Sequence, residues 1–144
     1  ATVYTLGLWE RVLALEPVDI DADALAAAYP APETVRARIL ADWGEKLGVD
    51  VWAQYKEKAV HGGELRAEIR AFCRMLPELR EKLAEDLQPA EAVARCIRLS
   101  GGPVYPEEMA ASAAEFRNGV ARARYIRNRL TVLDLAAELG VGPA

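Results

Sequence analysis

The sequence predicts an all-α fold, a multi-helix bundle, on three observations. Alanine, leucine, glutamate and arginine dominate the composition, and all four are good helix formers. Apolar residues recur at three- and four-residue steps, and runs of alternating Val, Ile and Thr are missing. Between these periodic stretches the chain carries helix punctuation: Asp, Ser or Thr before a start, Pro in a first turn, Gly after an end.

Taken in order, Val3, Leu6, Trp9, Val12 and Leu13 mark one face of a first helix that stops before Pro17. Asp21 is an N-cap for a short helix over residues 22–28, closed by Tyr29-Pro30. Pro32 and Glu33 suit the first turn of a third helix, whose buried stripe is Val35, Ile39, Leu40 and Trp43. Gly44 or Gly48 lets it end or bend. Val51, Trp52 and Tyr55 begin another segment, with Lys56, Glu57 and Lys58 toward water, and His61-Gly62-Gly63 breaks it. Leu65, Ile69, Phe72, Cys73, Leu76, Leu79, Leu83 and Leu87 give the longest periodic run, with a kink or two abutting helices expected at Pro77. Pro89 opens a helix with Ala92, Val93, Cys96, Ile97 and Leu99 apolar, closed by Gly101-Gly102-Pro103. Pro106-Glu107-Glu108 starts a short turn. Ser112-x-x-Glu115 is a capping box launching a helix to about Arg127, and Thr131-x-x-Asp134 caps a last helix ended by Gly140. Residues 1–144 read as one helical domain.

A net charge of −4 gives no electrostatic support for general nucleic-acid binding. No apolar run approaches the roughly 20 residues of a membrane-spanning helix, and no basic leader precedes the first helix. Two cysteines in helical patterns point to a reduced, cytoplasmic setting and to buried structural thiols at Cys73 and Cys96 rather than a disulfide framework. The first helix has no cap and no initiator Met precedes it, so the chain is expected to be processed or cut from a longer one, with apolar surface left for self-association. His61, the lone histidine, is flanked by Glu57 and Glu64, but the glycines after it break helical spacing, so it reads as a surface loop residue rather than a metal ligand. Trp9, Trp43 and Trp52 read as core anchors.

The tract from Gly101 to Gly140 holds a further pattern: Gly102-Pro103, Pro106-Glu107-Glu108, Ser112, residues 121–124, and Ile126-Arg127-x-Arg129-x-Thr131-Val132-Leu133. In this order the motifs resemble the C-terminal helical domain of sn-glycerol-1-phosphate dehydrogenases, of the iron-containing alcohol dehydrogenase and dehydroquinate synthase-like superfamily. Leu130 and Asn128 stand where that family more often has tyrosine and aspartate. The resemblance implies a parent enzyme that uses NAD(P) and a divalent metal, zinc or nickel, for reversible hydride transfer with dihydroxyacetone phosphate. It also implies that the cofactor-binding domain and the metal-ligating aspartate and histidines lie upstream of Ala1. The partner expected is therefore the parent's N-terminal nucleotide-binding domain, and the chain alone is expected to be inactive. An alternative is a stand-alone helical binding or oligomerisation module derived from such a domain.

Arg117, Arg122, Arg124, Arg127 and Arg129 crowd the same tract. Arginine forks suit a substrate phosphate, and Arg127 and Arg129 are the candidates because they lie in the most family-like string. The competing reading is that these side chains pair with glutamates or solvate a helix face.

Overall fold

The computed structural model describes residues 2–142. Among them are seven α-helices and two 3-10 turns, and no strand. The helices are α1 (Thr2–Leu13), α2 (Ala22–Ala28), α3 (Pro32–Tyr55), α4 (Gly62–Ala84), α5 (Ala90–Leu99), α6 (Ala113–Ala123) and α7 (Val132–Glu138). The 3-10 turns are Pro17–Asp19 and Pro106–Met109. The all-α expectation holds. No helix is long and apolar enough to cross a membrane among the described residues.

Several punctuation marks act as read. Asp21 accepts the amides of Asp23 and Ala24, each at 3.0 Å, and so starts α2. The Glu115 carboxylate accepts the Ser112 amide and hydroxyl, and the Glu115 amide donates back to Ser112 Oγ. These bonds hold the Glu115 carboxyl below its ordinary range. The Gly102 amide reaches the Ile97 carbonyl and the Gly101 amide that of Arg98, which closes α5 by satisfying its last carbonyls.

The break read at Gly44 is present: its φ of 72° and ψ of 168° lie outside helical space, so α3 is two helical runs meeting at a kink there, the second beginning directly after Gly44 and not at Val51. Three local readings need correction. His61-Gly62-Gly63 begins α4 instead of ending a helix, with His61 at the N-cap position. Pro77 neither splits α4 nor carries a non-helical neighbour. Pro77 lies exposed, and α4 runs through it without a non-helical residue. The sixth helix stops at Ala123, short of Arg127, because Arg124 and Tyr125 turn inward.

The core has two parts. Leu8 and Val12 of α1, Ala22 and Ala26 of α2, Leu65 and Ile69 of α4, and Val132, Ala136 and Leu139 form the first. Val35, Ile39, Val51 and Tyr55 of α3, with Tyr125, form the second. Each large side chain so buried contributes about 1.5–3 kcal/mol. The tryptophans edge these clusters, half-buried: Trp9 against the first, Trp43 and Trp52 against the second. Cys96 is exposed, not buried, and Leu99 more so, because α5 packs on α1 with the opposite face. Cys73 is half-buried, and burial raises its thiol above the ordinary value.

Polar contacts set how the helix ends meet. Arg80 of α4 donates from Nε to the Leu13 carbonyl at 2.6 Å and from Nη2 to the Leu15 carbonyl, gathering the free end of α1. Glu10 of α1 accepts the Ala90 amide at 2.8 Å, which satisfies a free amide at the start of α5.

Gly140 ends α7 at φ 70°, where its amide reaches Ala137 and the next amide, of Val141, reaches Ala136. A Cβ there would lie 3.3 Å from the Leu25 side chain of α2. Gly140→Ala is expected to cost about 1–2 kcal/mol through the left-handed backbone, read by urea unfolding. A change within error would show that this turn is not constrained as described.

Candidate functional site: a buried ion cluster at the turn between α6 and α7

Between the two core clusters lies a set of ionised and phenolic side chains. Lys58 follows the end of α3 and was expected on its wet side; its side chain is instead only 5% exposed. The Lys58 ammonium uses all three donors. It donates to the Arg124 carbonyl at 2.6 Å, the Arg129 carbonyl at 3.2 Å and Asp134 Oδ2 at 2.7 Å. Asp134, 1% exposed, also accepts the Thr131 amide and hydroxyl on Oδ2, each at 2.9 Å. One carboxylate therefore starts α7 and neutralises a buried lysine.

Arg124 is the second buried cation. Its Nε stands 3.6 Å from Asp134 Oδ1, an ion contact too long to be a hydrogen bond. Its Nη2 donates to the hydroxyls of Tyr29 and, at 3.1 Å, Tyr55. The guanidinium lies 5.7, 5.7 and 5.4 Å from the ring centres of Tyr29, Tyr55 and Tyr125, within cation–π range. Burial opposes the charge on Arg124, yet the surrounding tyrosines outweigh it and hold the guanidinium ionised. The Tyr55 phenol is raised above its ordinary value, chiefly by burial.

Glu138 sits one turn beyond Asp134 and is 7% exposed. Burial lifts its carboxyl from 4.5 to about 7, against the pull of Arg124 and Lys58 and with the push of Asp134 and Glu68. His61 is not the surface residue the sequence suggested. Both ring nitrogens are buried without a hydrogen-bond partner, and its ring centre is 5.7 Å from that of Tyr29. Glu57 accepts from Asn128 Nδ2 at 2.7 Å, and Glu64 is exposed in the first turn of α4.

The five arginines separate by environment. Arg124 is buried. Arg122 pairs with Asp42 at 2.6 Å, an aspartate where a glutamate was expected, and Arg117 is exposed on α6. Arg127 and Arg129 lie in the turn between α6 and α7, with exposed side chains that make no ion pair among the described residues. Only the backbone of Arg129 joins the cluster. Sequence reading missed Lys58, Tyr29, Tyr55 and Glu138. Tyr29 and Tyr55 each carried one visible sign, a phenol at the apolar end of a helix, where burial requires a partner for the hydroxyl.

Among the described residues no three His, Cys, Asp or Glu side chains come together as a metal site. Compared with family models, characterised proteins and solved structures, the chain matches none.

Removing one member of a buried ion pair strands the other. Lys58→Met is expected to lower unfolding free energy by about 3 kcal/mol, measured by urea denaturation at pH 7. A loss below 0.5 kcal/mol, the scale of an exposed pair, would contradict the burial described. Glu138 gives a pH signature. Its carboxyl titrates higher in the folded than in the unfolded chain, so its contribution is intact below pH 4.5 and is lost as pH rises toward 7. Glu138→Gln is expected to be about 2 kcal/mol more stable than the parent at pH 8 and equal to it near pH 4. Parallel stability curves for the two proteins would refute this.

Proposed function

We propose that the chain serves as the helical domain of an sn-glycerol-1-phosphate dehydrogenase-like oxidoreductase, walling the substrate cleft opposite a nucleotide-binding domain. The observation that supports this reading is the fate of the string Ile126-Arg127-x-Arg129-x-Thr131-Val132-Leu133. Its Arg129 carbonyl and Thr131 amide and hydroxyl are all bound within the buried Lys58–Asp134 cluster. The string that carries the resemblance is thus held by a specific structural constraint, and Arg127 and Arg129 project from it into solvent.

The parent reaction would move a hydride between NAD(P)H and the carbonyl carbon of dihydroxyacetone phosphate, giving glycerol 1-phosphate. The implied zinc or nickel does not fit the described residues: no three possible ligands converge, and the His61 nitrogens are closed in beside Tyr29. The part assigned to this chain is therefore positioning, with Arg127 and Arg129 offering charge-assisted hydrogen bonds to the substrate phosphate.

The surface supports a partner. The chain exposes 8940 Å², where a compact monomer of its mass exposes about 7,300 Å². Leu47, Val49, Leu99, Ile126 and Leu130 are each more than half exposed. The same surface favours the second reading, a stand-alone module that assembles with itself.

The test is the product of the complete reading frame that contains this chain. It is expected to oxidise NAD(P)H in the presence of dihydroxyacetone phosphate with zinc or nickel, while the 144-residue chain shows no turnover. Within that enzyme, Arg127→Ala should raise KM for the phosphate substrate about tenfold, the scale of one hydrogen bond to a charged group. Absence of turnover from the complete product would overturn the enzyme reading, and concentration-dependent self-association of that inactive product would favour the module.

A further inference from the structure

Two adjoining hollows, of about 320 Å³ each, open between α2, α3, α6 and α7. Arg38, Arg124, Tyr125, Ala137 and Gly140 line both. The volumes fall at the small end of the range for small-molecule sites. The first hollow has apolar walls from Val120, Leu133 and Ala137. The second brings in Tyr29 and Glu138.

Close ion pairing around them is uneven. Lys58 and Arg124 share one carboxylate at ion-pair distance, Asp134. Asp134 Oδ2 is closest to Lys58, at 2.7 Å, and already accepts two further hydrogen bonds from Thr131. Arg124 receives only the 3.6 Å contact to Oδ1. Its Nη2 is spent on two neutral phenols, and its Nε has no hydrogen-bond partner. Arg38 is exposed on α3 and makes no ion pair among the described residues. Glu138 forms neither a hydrogen bond nor an ion pair with either arginine. A buried cation without a close, hydrogen-bonded anion is costly. The hollows bring solvent-accessible space up to that cation, with a second arginine, Arg38, also in their lining and apolar surface beside it.

We propose that these hollows bind a small organic acid, its oxyanion head held between Arg38 and Arg124 and its short apolar part against Val120, Leu133 and Ala137. Arginine supplies paired donors in the fork geometry that a carboxylate or a phosphate monoester accepts. Glu138, the one carboxylate among the described lining residues, acts as the internal competitor for that position. This assignment does not depend on the enzyme reading. It concerns Arg38 and Arg124 rather than Arg127 and Arg129, and it needs neither nucleotide nor metal.

The experiment is thermal unfolding of the 144-residue chain, titrated with sodium butyrate, with inorganic phosphate, and with sodium chloride at matched ionic strength. Butyrate or phosphate is expected to raise Tm along a saturable curve that chloride does not reproduce. A response to butyrate alone assigns a carboxylate head, and a response to phosphate alone a phosphate head. Arg38→Gln, a surface change that leaves the unliganded Tm in place, should weaken apparent affinity at least tenfold. Glu138→Gln should strengthen it severalfold at pH 8. Arg124→Lys supports the assignment if it folds and loses the response. No saturable rise with either anion would overturn the proposal. So would a response that Arg38→Gln leaves intact. Because no reductase activity enters the readout, failure here and failure of the dehydrogenase reading are separately visible.

Discussion

Lys58 draws three segments to one point. Its ammonium bonds the carbonyl of Arg124 where α6 has just ended, the carbonyl of Arg129 late in the following turn, and the carboxylate of Asp134 in the first turn of α7. Without those bonds, the part-buried Arg124 carbonyl would lose its partner and the buried Asp134 carboxylate its closest countercharge, keeping only the two hydrogen bonds from Thr131. The lysine thus fixes the path of residues 124–131 far more tightly than their own local preferences could. Val132, Ala136 and Leu139 reach the first core cluster, and Tyr125 the second, only if that path is kept. The two halves of the core depend on the same ammonium group.

The helices were legible because their apolar spacing and end signals are local. Asp21, Ser112 with Glu115, Gly102 and Gly140 each act within a few residues of where they stand, and a sequence shows such distances directly. The cluster was not legible, because its members come from four separate regions: Tyr29, Tyr55 with Lys58, Arg124, and Asp134 with Glu138. Asp134 illustrates the limit. Its capping role follows from Thr131 three residues before it, whereas its ion pair with a lysine 76 residues away depends on how the bundle closes. Pro77 and His61 misled for a related reason. Proline removes one amide donor and crowds the preceding turn, yet a long helix packed elsewhere along its length can run through it, and a histidine before two glycines looks like a loop until the next helix is seen to begin there.

The interior polar network also explains why the short end of the chain is so densely packed. α7 has only seven residues, too few for independent helical stability. It is held because α1 packs along it, Asp134 starts it, and Gly140 with Val141 closes it. By contrast α5 and the turn after it offer one packed face and leave Leu99, Tyr105 and Met109 largely in water. The molecule is therefore rigidly specified around α7 and sparsely covered around α5.

The arginine-dense string carries this division into chemistry. Arg124 enters the interior because three phenol rings and Asp134 receive its guanidinium there, and because Lys58 binds its carbonyl and ends the helix at that residue. Once the backbone leaves helical geometry, the side chains that follow no longer repeat on the buried face, and Arg127 and Arg129 point outward. Their exposure is thus a consequence of the burial of Arg124. An anion at Arg38 and Arg124 would meet one cation already fixed in place, so the side-chain entropy cost would fall on Arg38 alone. An anion at Arg127 and Arg129 would have to order two exposed side chains, and a second wall supplied by another domain would lower that cost. The two arginine sets accordingly suit different settings: an anion that the chain would enclose by itself, and a substrate phosphate that would be held between this chain and a partner.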